Sequence, residues 1–561
     1  MFQILFTFIV VWLITYGLIP VVKLWQCGCK HPIPIPFFGT MLWIYINGFQ
    51  KCYIEWNRKY GQFYAATRGH DLIYMVSDPI YLKEILVKSF SNFHNRRMFP
   101  LFNKYFGKSV FVTRDEQWRV TRKLILPTFT SHKMKTDMFP LVIKCASKMV
   151  GYLKDSLSND PIVNTKDIFG CYTMDTIAST AFGLELDSHK EINHDFVRNA
   201  RKVFEFNVTR PIFALIEIFP VIIPLVNYFK LSIIEDSTAN FFSGIVEDTI
   251  QKRQKFNIVR NDFLQLLVDS NKAYNLSHSN SNESQKANSC IYDNNGSKDL
   301  NTNKISDGIT SQEDGGTEIK EGIDKETAST SGLSKEQYIA NALFFFIAGY
   351  ESTANALGWV ARTLAWKPEV QETLRQEIKQ KISQKRKLLN SDSTSISDII
   401  DYEDVTNLKY MDQVIKEVMR LHPPITFFDR MAEEDYYLGD TLIKKGTVIV
   451  VPVYALHRDE NIWASPNEFD PKRFDIDDTA MEHQYNFMPF GYGQRQCVGL
   501  RFAMMEIRIG LTLILGSDIQ FFLAPGDIDS DLTPDNTKFK KNGINYPING
   551  IKVGVRYIKN K

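Results

Sequence analysis

The chain has 561 residues, 44% of them hydrophobic and 13% aromatic, which is ample material for a large core or for two or three ordinary domains. A formal net charge of +2 excludes both the broad basic field of a nucleic-acid binder and the acidic excess of a solvated tail. The cysteines at 27, 29, 52, 145, 171, 290 and 497 form no disulfide framework and no C-x-x-C pair, and Cys27 and Cys29 have no matching His or Cys pair for zinc. They read as reduced thiols facing the cytosol.

Residues 1–22, MFQILFTFIVVWLITYGLIPVV, carry no charged side chain, and Lys23 and Lys30 follow them. As a helix they rise roughly 33 Å, enough to cross the hydrocarbon of a bilayer. A cleaved signal peptide would put basic residues first, with a shorter apolar run and a small-residue cleavage site. Here the positive charge comes after the apolar run, which predicts a retained transmembrane signal anchor at 1–22 with the body in the cytosol. Residues 23–40 contain HPIPIPFFG, whose alternating prolines favour a stiff, extended hinge.

Residues 41–561 are expected to form one domain. Short β-like runs (QFYAATRG, DLIYMVSDP) precede a mostly helical stretch from Asp115 to Phe263. Residues 210–230, RPIFALIEIFPVIIPLVNYFK, are apolar enough to span a membrane, but Glu217, Pro211, Pro220 and Pro224 argue against a clean spanning helix. A surface dipping into the membrane interface is expected there, with core packing as the alternative. Residues 271–332, rich in Asn, Ser, Asp, Gly and Lys, have almost nothing to bury and read as a disordered insertion in a loop. Helix resumes near Ser334. Short strands (DTLIKKGTVIVVPVYAL), a glycine-rich cysteine loop, a helix from Leu500 and a strand-like tail (INGIKVGVRYI) complete the chain.

The loop is PFGYGQRQCVG, Pro489 to Gly499. A buried structural cysteine is the commonest fate of a single Cys, and a nucleophilic thiolate would need a base that has no local signature here. The third reading is a metal ligand. Gly491, Gly493 and Gly499 allow a tight turn that aims N–H groups at the sulfur. The helix that follows puts its positive end beside Cys497 and favours thiolate. Arg495, two residues before, is placed to meet a cofactor's carboxylates.

FGYGQRQCVG resembles the haem-binding loop of the cytochrome P450 family, F-x-x-G-x-R-x-C-x-G, with Phe490, Gly493, Arg495, Cys497 and Gly499 in register. KEVMR sets Glu417 and Arg420 at i, i+3, a spacing that permits an ion pair. DPKRF resembles the family's P-E-R-F segment, with Lys472 replacing the usual acid, and gives Arg473 as third member of a structural cluster. DEQWRVTRKL sets Trp118 and Arg122 on one helix face, where the resemblance directs both at a haem propionate. Arg430, counted without gaps from Arg420, falls where related enzymes place another propionate partner.

FFFIAGYESTANAL is similar to the family's central helix, A-G-x-[DE]-T-T. Small Ala348 and Gly349 would let the flat cofactor and dioxygen approach the backbone. Glu351 and Ser352 occupy the acid–alcohol pair that delivers protons, with Thr353 next. Serine in place of threonine keeps the hydroxyl but loses the methyl that restricts its rotamer, which predicts leakier proton delivery and more peroxide release.

The resemblance implies a mainly α fold with a smaller β region, preceded by one transmembrane helix, and haem b (iron protoporphyrin IX) with Cys497 as axial thiolate. It further implies monooxygenation by dioxygen with electrons from NADPH, passed by NADPH-cytochrome P450 reductase with cytochrome b5 as a possible second donor. The predicted location is the endoplasmic reticulum membrane. The predicted substrate-facing positions are Phe346, Ile347, Ala348, Ile425, Thr426 and part of the 98–112 loop; they are mostly apolar, so a lipophilic molecule is expected and no nucleic acid. Fragments such as FSNFHNRR, LPTFTSHKMK and YALHRD resemble animal microsomal members of the drug-oxidising and thromboxane-synthase group. A reductase-independent isomerase of peroxides and a non-enzymatic haem sensor are the two alternatives.

Overall fold

The computed structural model describes residues 2–97, 106–157, 161–191, 194–204, 215–216, 218–219, 222–229, 232, 235–272, 332–389, 395–475 and 484–558. The architecture is mainly helical with small sheets, as predicted. The N-terminal helix, Phe2–Gln26, is long and apolar enough to cross a membrane. Its C-terminal half docks on the body: Tyr16 Oη donates to Ile218 O at 2.6 Å, Gly17 O accepts from Phe37 N at 2.8 Å, and Lys23 Nζ donates to His70 O at 2.7 Å.

One mixed sheet has the order β1 (Phe63–Arg68), β2 (Asp71–Val76), β7 (Val448–Val451), β4 (Phe428–Met431). The β1–β2 and β7–β4 pairs are antiparallel, and β2 runs parallel to β7. Beside it lies the hairpin β5 (Tyr436–Leu438) and β6 (Thr441–Ile443). A third sheet has β9 (Lys552–Tyr557) between β3 (Ile162–Asn164) and β8 (Ile519–Leu523).

The central helix, Lys335–Trp366, begins with a capping box in which Ser334 and Gln337 satisfy each other's backbone N–H groups. Its side chains are mostly buried, and the helix Thr165–Ile177 packs along it, with Thr173 Oγ1 donating to Tyr350 O at 3.0 Å. The helix Leu500–Gly516 packs into the same core.

Two expectations fall largely on undescribed residues. Of 210–230, the described helix Ile223–Tyr228 leaves Leu225 and Tyr228 exposed, and most of the remainder lies outside the described residues. Residues 273–331 of the insertion also lie outside them. Its two ends are clasped: Leu333 N donates to Asn271 Oδ1 at 2.7 Å, and Asn271 Nδ2 to Leu333 O at 3.4 Å.

Candidate functional site around Cys497

The cysteine loop is shaped by backbone bonds from Cys497 N to Phe490 O and from Gln496 N to Gly493 O, each 2.9 Å. Gly493 has φ +75°, and a Cβ there would stand 2.3 Å from the carbonyl oxygen of Leu86, so both torsion and space demand glycine. Gly499 caps the helix Leu500–Gly516, and its N–H bonds the Cys497 sulfur. The side chain is exposed, yet burial pushes its thiol pKa up. Accessible surface within a desolvating surround means that the sulfur faces an internal hollow. The Gly499 N–H, Arg122 and Arg96 act in the opposite direction and favour thiolate.

Four arginines gather beside the sulfur. Arg122, on the helix Asp115–Ile125, donates to Gln496 O at 2.9 Å. Trp118, one turn earlier and buried, carries the Arg495 guanidinium over its ring at 3.9 Å. Arg495 also donates to His94 O at 2.7 Å and Thr113 O at 3.1 Å, so much of its fork holds the loop to the body. Arg430, on β4, is fully buried; its Nη1 donates to Asp429 O at 2.7 Å, and its Nε has no partner among the described residues. Arg96 reaches Arg495 O at 3.5 Å, lies over the Phe111 ring at 4.5 Å, and likewise has an orphaned Nε.

Burial lowers the pKa of all four, and mutual repulsion adds to it for Arg122, Arg430 and Arg495. Asp429 and Asp115 offset part of this. Guanidinium nevertheless stays protonated near neutrality. Crowded, incompletely bonded cations next to a thiolate-forming sulfur fit a flat iron cofactor with two carboxylates: Cys497 would hold the metal, and Arg96, Arg122 and Arg430 the propionates. Arg96 is absent from the residues predicted for the site, although it lies in FSNFHNRR.

In the middle of the central helix, Phe344, Ile347, Ala348, Gly349 and Ser352 are partly exposed between buried neighbours, a stripe at helical spacing. Phe344 stacks with Phe111 at 5.2 Å. Ser352 Oγ donates to Ala348 O at 2.5 Å. Glu351 is only 7% exposed; its Oε1 meets Lys166 Nζ at 3.1 Å, and its Oε2 has no partner among the described residues. Lys166 was not foreseen, because nothing local in the sequence joins it to Glu351.

Several predicted positions lie elsewhere. Thr353 is turned about 100° from Ser352 and is buried. Phe346 points away from the stripe into an aromatic cluster with Phe182, Phe196, Phe242 and Tyr350, so it is a core residue. Thr426 is buried and donates to Gly543 O at 3.0 Å, whereas its neighbour Ile425 is exposed. A Cβ on Gly349 would stand 2.4 Å from Ile177 Cδ1, so that glycine admits the neighbouring helix rather than a cofactor. Residues 98–105 lie outside the described residues.

The structural cluster is complete. Glu417 and Arg420 are fully buried and joined by two bonds of 2.7 and 2.8 Å. Arg473 Nε lies 3.4 Å from Glu417 Oε1. Arg420 Nη1 also donates to His457 O at 2.8 Å and Pro466 O at 2.7 Å, which ties the helix Lys409–Leu421 to the segment leading into the cysteine loop.

Comparison with known proteins agrees with this geometry. The Cytochrome P450 family model matches residues 30–290 and 284–534. The chain is 31% identical over 490 residues to Cytochrome P450 3A31 of Mesocricetus auratus, covering 87% of this chain and 84% of that one. It is 30% identical over 492 residues to Cytochrome P450 3A13 of Mus musculus, covering 87% and 85%. Similarity to Cytochrome P450 3A1 of Rattus norvegicus is 31% over 493 residues, covering 87% and 84%. With that agreement over most of its length, the chain belongs to the cytochrome P450 family of haem-thiolate monooxygenases.

Proposed function

We propose that the protein is a membrane-anchored monooxygenase that inserts one oxygen atom of dioxygen into a lipophilic substrate, with electrons from NADPH supplied through NADPH-cytochrome P450 reductase and, as a second donor, cytochrome b5. The observation that carries this reading is the accessible Cys497 sulfur, set among crowded and only partly compensated arginines. Haem held through the Cys497 sulfur would supply reductive dioxygen chemistry, with the thiolate as an electron-donating ligand.

The chain's own residues do the rest. The Gly499 N–H and Arg122 stabilise sulfur as thiolate. Arg96, Arg122 and Arg430 orient the cofactor's carboxylates, and Trp118 supports Arg495 from below. The Ser352 hydroxyl lies on the exposed stripe and can relay a proton there. Glu351, fixed through Oε1 by Lys166, holds or releases a proton at Oε2. Ile347, Ala348, Phe344, Phe111 and Ile425 offer apolar surface to the substrate and exclude water. The helix Phe2–Gln26 would anchor the protein as a single-pass protein of the endoplasmic reticulum, its body in the cytosol, and substrate would arrive from the bilayer.

The test is turnover of lipophilic probe substrates in vesicles that contain the reductase, under isotopically labelled dioxygen. Label in the product, dependent on NADPH, is expected. Rearrangement of a lipid peroxide without reductase would establish the isomerase instead, and haem binding without any turnover would favour the sensor.

A further inference from the structure

After the helix Thr165–Ile177 the chain turns at Gly183 (φ +71°) and comes back beside that helix. Ser188 bonds Asp175 near the helix end, and His189 bonds Ile168 O two turns earlier. The return brings three ligating side chains together. One oxygen each of Asp175 and Asp187 and a ring nitrogen of His189 lie within 4.8 Å of one another. Asp175 is 1% exposed, His189 is 7% exposed, and Asp187 is part-exposed.

The tautomer of His189 is fixed by its neighbour. A carbonyl only accepts, so Nε2 carries the ring proton and donates it to Ile168 O at 3.2 Å, which leaves Nδ1 with its lone pair. Nδ1 is buried and has no partner among the described residues. Metal-ligating histidines are held in this way, one ring nitrogen bonded to a carbonyl and the other bare. Tyr152, from the helix Phe139–Ser156, packs against the ring with centroids 4.7 Å apart.

Asp175 is held as firmly. Ser188 Oγ donates to Oδ1 at 2.5 Å, and Ser188 N is shared between Oδ1 at 3.1 Å and Oδ2 at 3.2 Å, which leaves lone-pair capacity on Oδ2. Three acceptors therefore converge, and one water has hydrogens for only two of them. Nearby cations do not fill the gap. Lys148 Nζ donates to Leu186 O at 2.6 Å, and the largely exposed Lys190 stands 3.6 Å from Asp187 Oδ2. Cys171 donates its thiol to Ser188 O at 3.5 Å, and burial pushes its pKa up to about 12, so no thiolate joins the set. Burial pushes the Asp175 carboxyl up to about 6, with the Asp187 charge adding to it, and burial brings His189 down to about 4, so the imidazole is neutral.

We propose that Asp175, Asp187 and His189 bind a divalent transition-metal ion of the zinc class, with water as fourth ligand on the Asp187 side. The ion staples the returning segment to the helix Thr165–Ile177, which packs along the central helix. An imidazole nitrogen among carboxylates suits zinc, whereas magnesium and calcium take oxygen ligands. At bond lengths of about 2.1 Å, tetrahedral ligands stand about 3.4 Å apart, and Asp187, on a loop, closes the remaining distance. The site is separate from the haem reading and stands without it.

Full-length haem-loaded protein in detergent is stripped with chelator, equilibrated with micromolar free zinc, desalted and assayed for zinc. The parent should keep one zinc ion per chain. X-ray absorption at the zinc edge should show nitrogen and oxygen neighbours at about 2.0–2.2 Å, imidazole included, and no sulfur at about 2.3 Å. Asp187→Asn and His189→Phe should each weaken zinc binding by about 10-fold or more, while His132→Ala, at an exposed histidine elsewhere, leaves it intact. Should His189→Phe fail to fold, Asp187→Asn decides alone. Folded parent that retains no zinc, variants that bind it as the parent does, or a sulfur shell, which would put the ion on cysteines instead, would each overturn the proposal.

Discussion

The Glu417 cluster and the Cys497 cluster both bury arginine, yet they are built to opposite rules. Around Glu417 the carboxylate takes two bonds from Arg420 and an ionic contact from Arg473, whose Nε makes no hydrogen bond among the described residues, and carbonyls of His457, Pro466 and Glu468 meet the remaining N–H groups of Arg420. Around Cys497 four guanidiniums crowd together, and Arg96 and Arg430 keep orphaned Nε donors among the described residues. Buried cations that share a carboxylate between them fix shape; cations crowded with no anion among them raise the free energy of the protein alone and lower it when an anion arrives. The difference separates the residues that hold the fold from those that hold the cofactor.

The largest expected effect comes from breaking the Glu417 cluster. Glu417→Ala leaves Arg420 buried without its anion and should cost ~3–5 kcal/mol in denaturant or thermal unfolding. Arg430→Met should act in the opposite sense: stability of the haem-free protein is kept or raised, because a crowded buried cation is removed. Haem retention falls instead. Loss of a charge-assisted bond worth about 1.5–3 kcal/mol speeds haem release roughly 10- to 100-fold, measured by transfer to apomyoglobin.

Glu506 is a third case, a buried acid without a paired cation among the described residues. It is fully buried, and desolvation raises its pKa well above 4.5, with Thr176 offsetting little. A carboxyl whose pKa is raised by folding favours the native state below its unfolded pKa, and that advantage is lost as pH rises through the folded value. Glu506→Gln should therefore flatten the dependence of melting temperature on pH above 4.5, its gain over the parent growing with pH. The smallest effect is expected from Ser352→Thr, which restricts the hydroxyl rotamer and should lower peroxide released per NADPH consumed without altering stability measurably.

What the sequence reveals of this molecule depends on how local each cause is. The cysteine loop is legible because Gly493 answers a torsion and a close backbone approach within a few residues of Cys497. The Glu417–Arg420 pair is legible because one turn of helix brings the two together. Phe346 and Thr426 are buried beside the partly exposed Ile347 and the exposed Ile425, because residues adjacent in sequence point different ways on a helix and in an irregular segment. Partners that meet only through tertiary folding left no local signal: Lys166 with Glu351, Arg96 with Arg495, and β3 with β9. Gly349 is small for a neighbouring helix, and sequence alone does not distinguish that from smallness for a ligand.

Whether Cys497 holds a haem whose carboxylates meet the arginine cluster is read from the carbon monoxide difference spectrum of the dithionite-reduced protein, beside Cys497→Ala. A Soret band at the thiolate position is expected in the parent and its loss in the variant, with the fold retained. Well-folded protein that takes up no haem, or a thiolate band that survives Cys497→Ala, would contradict it.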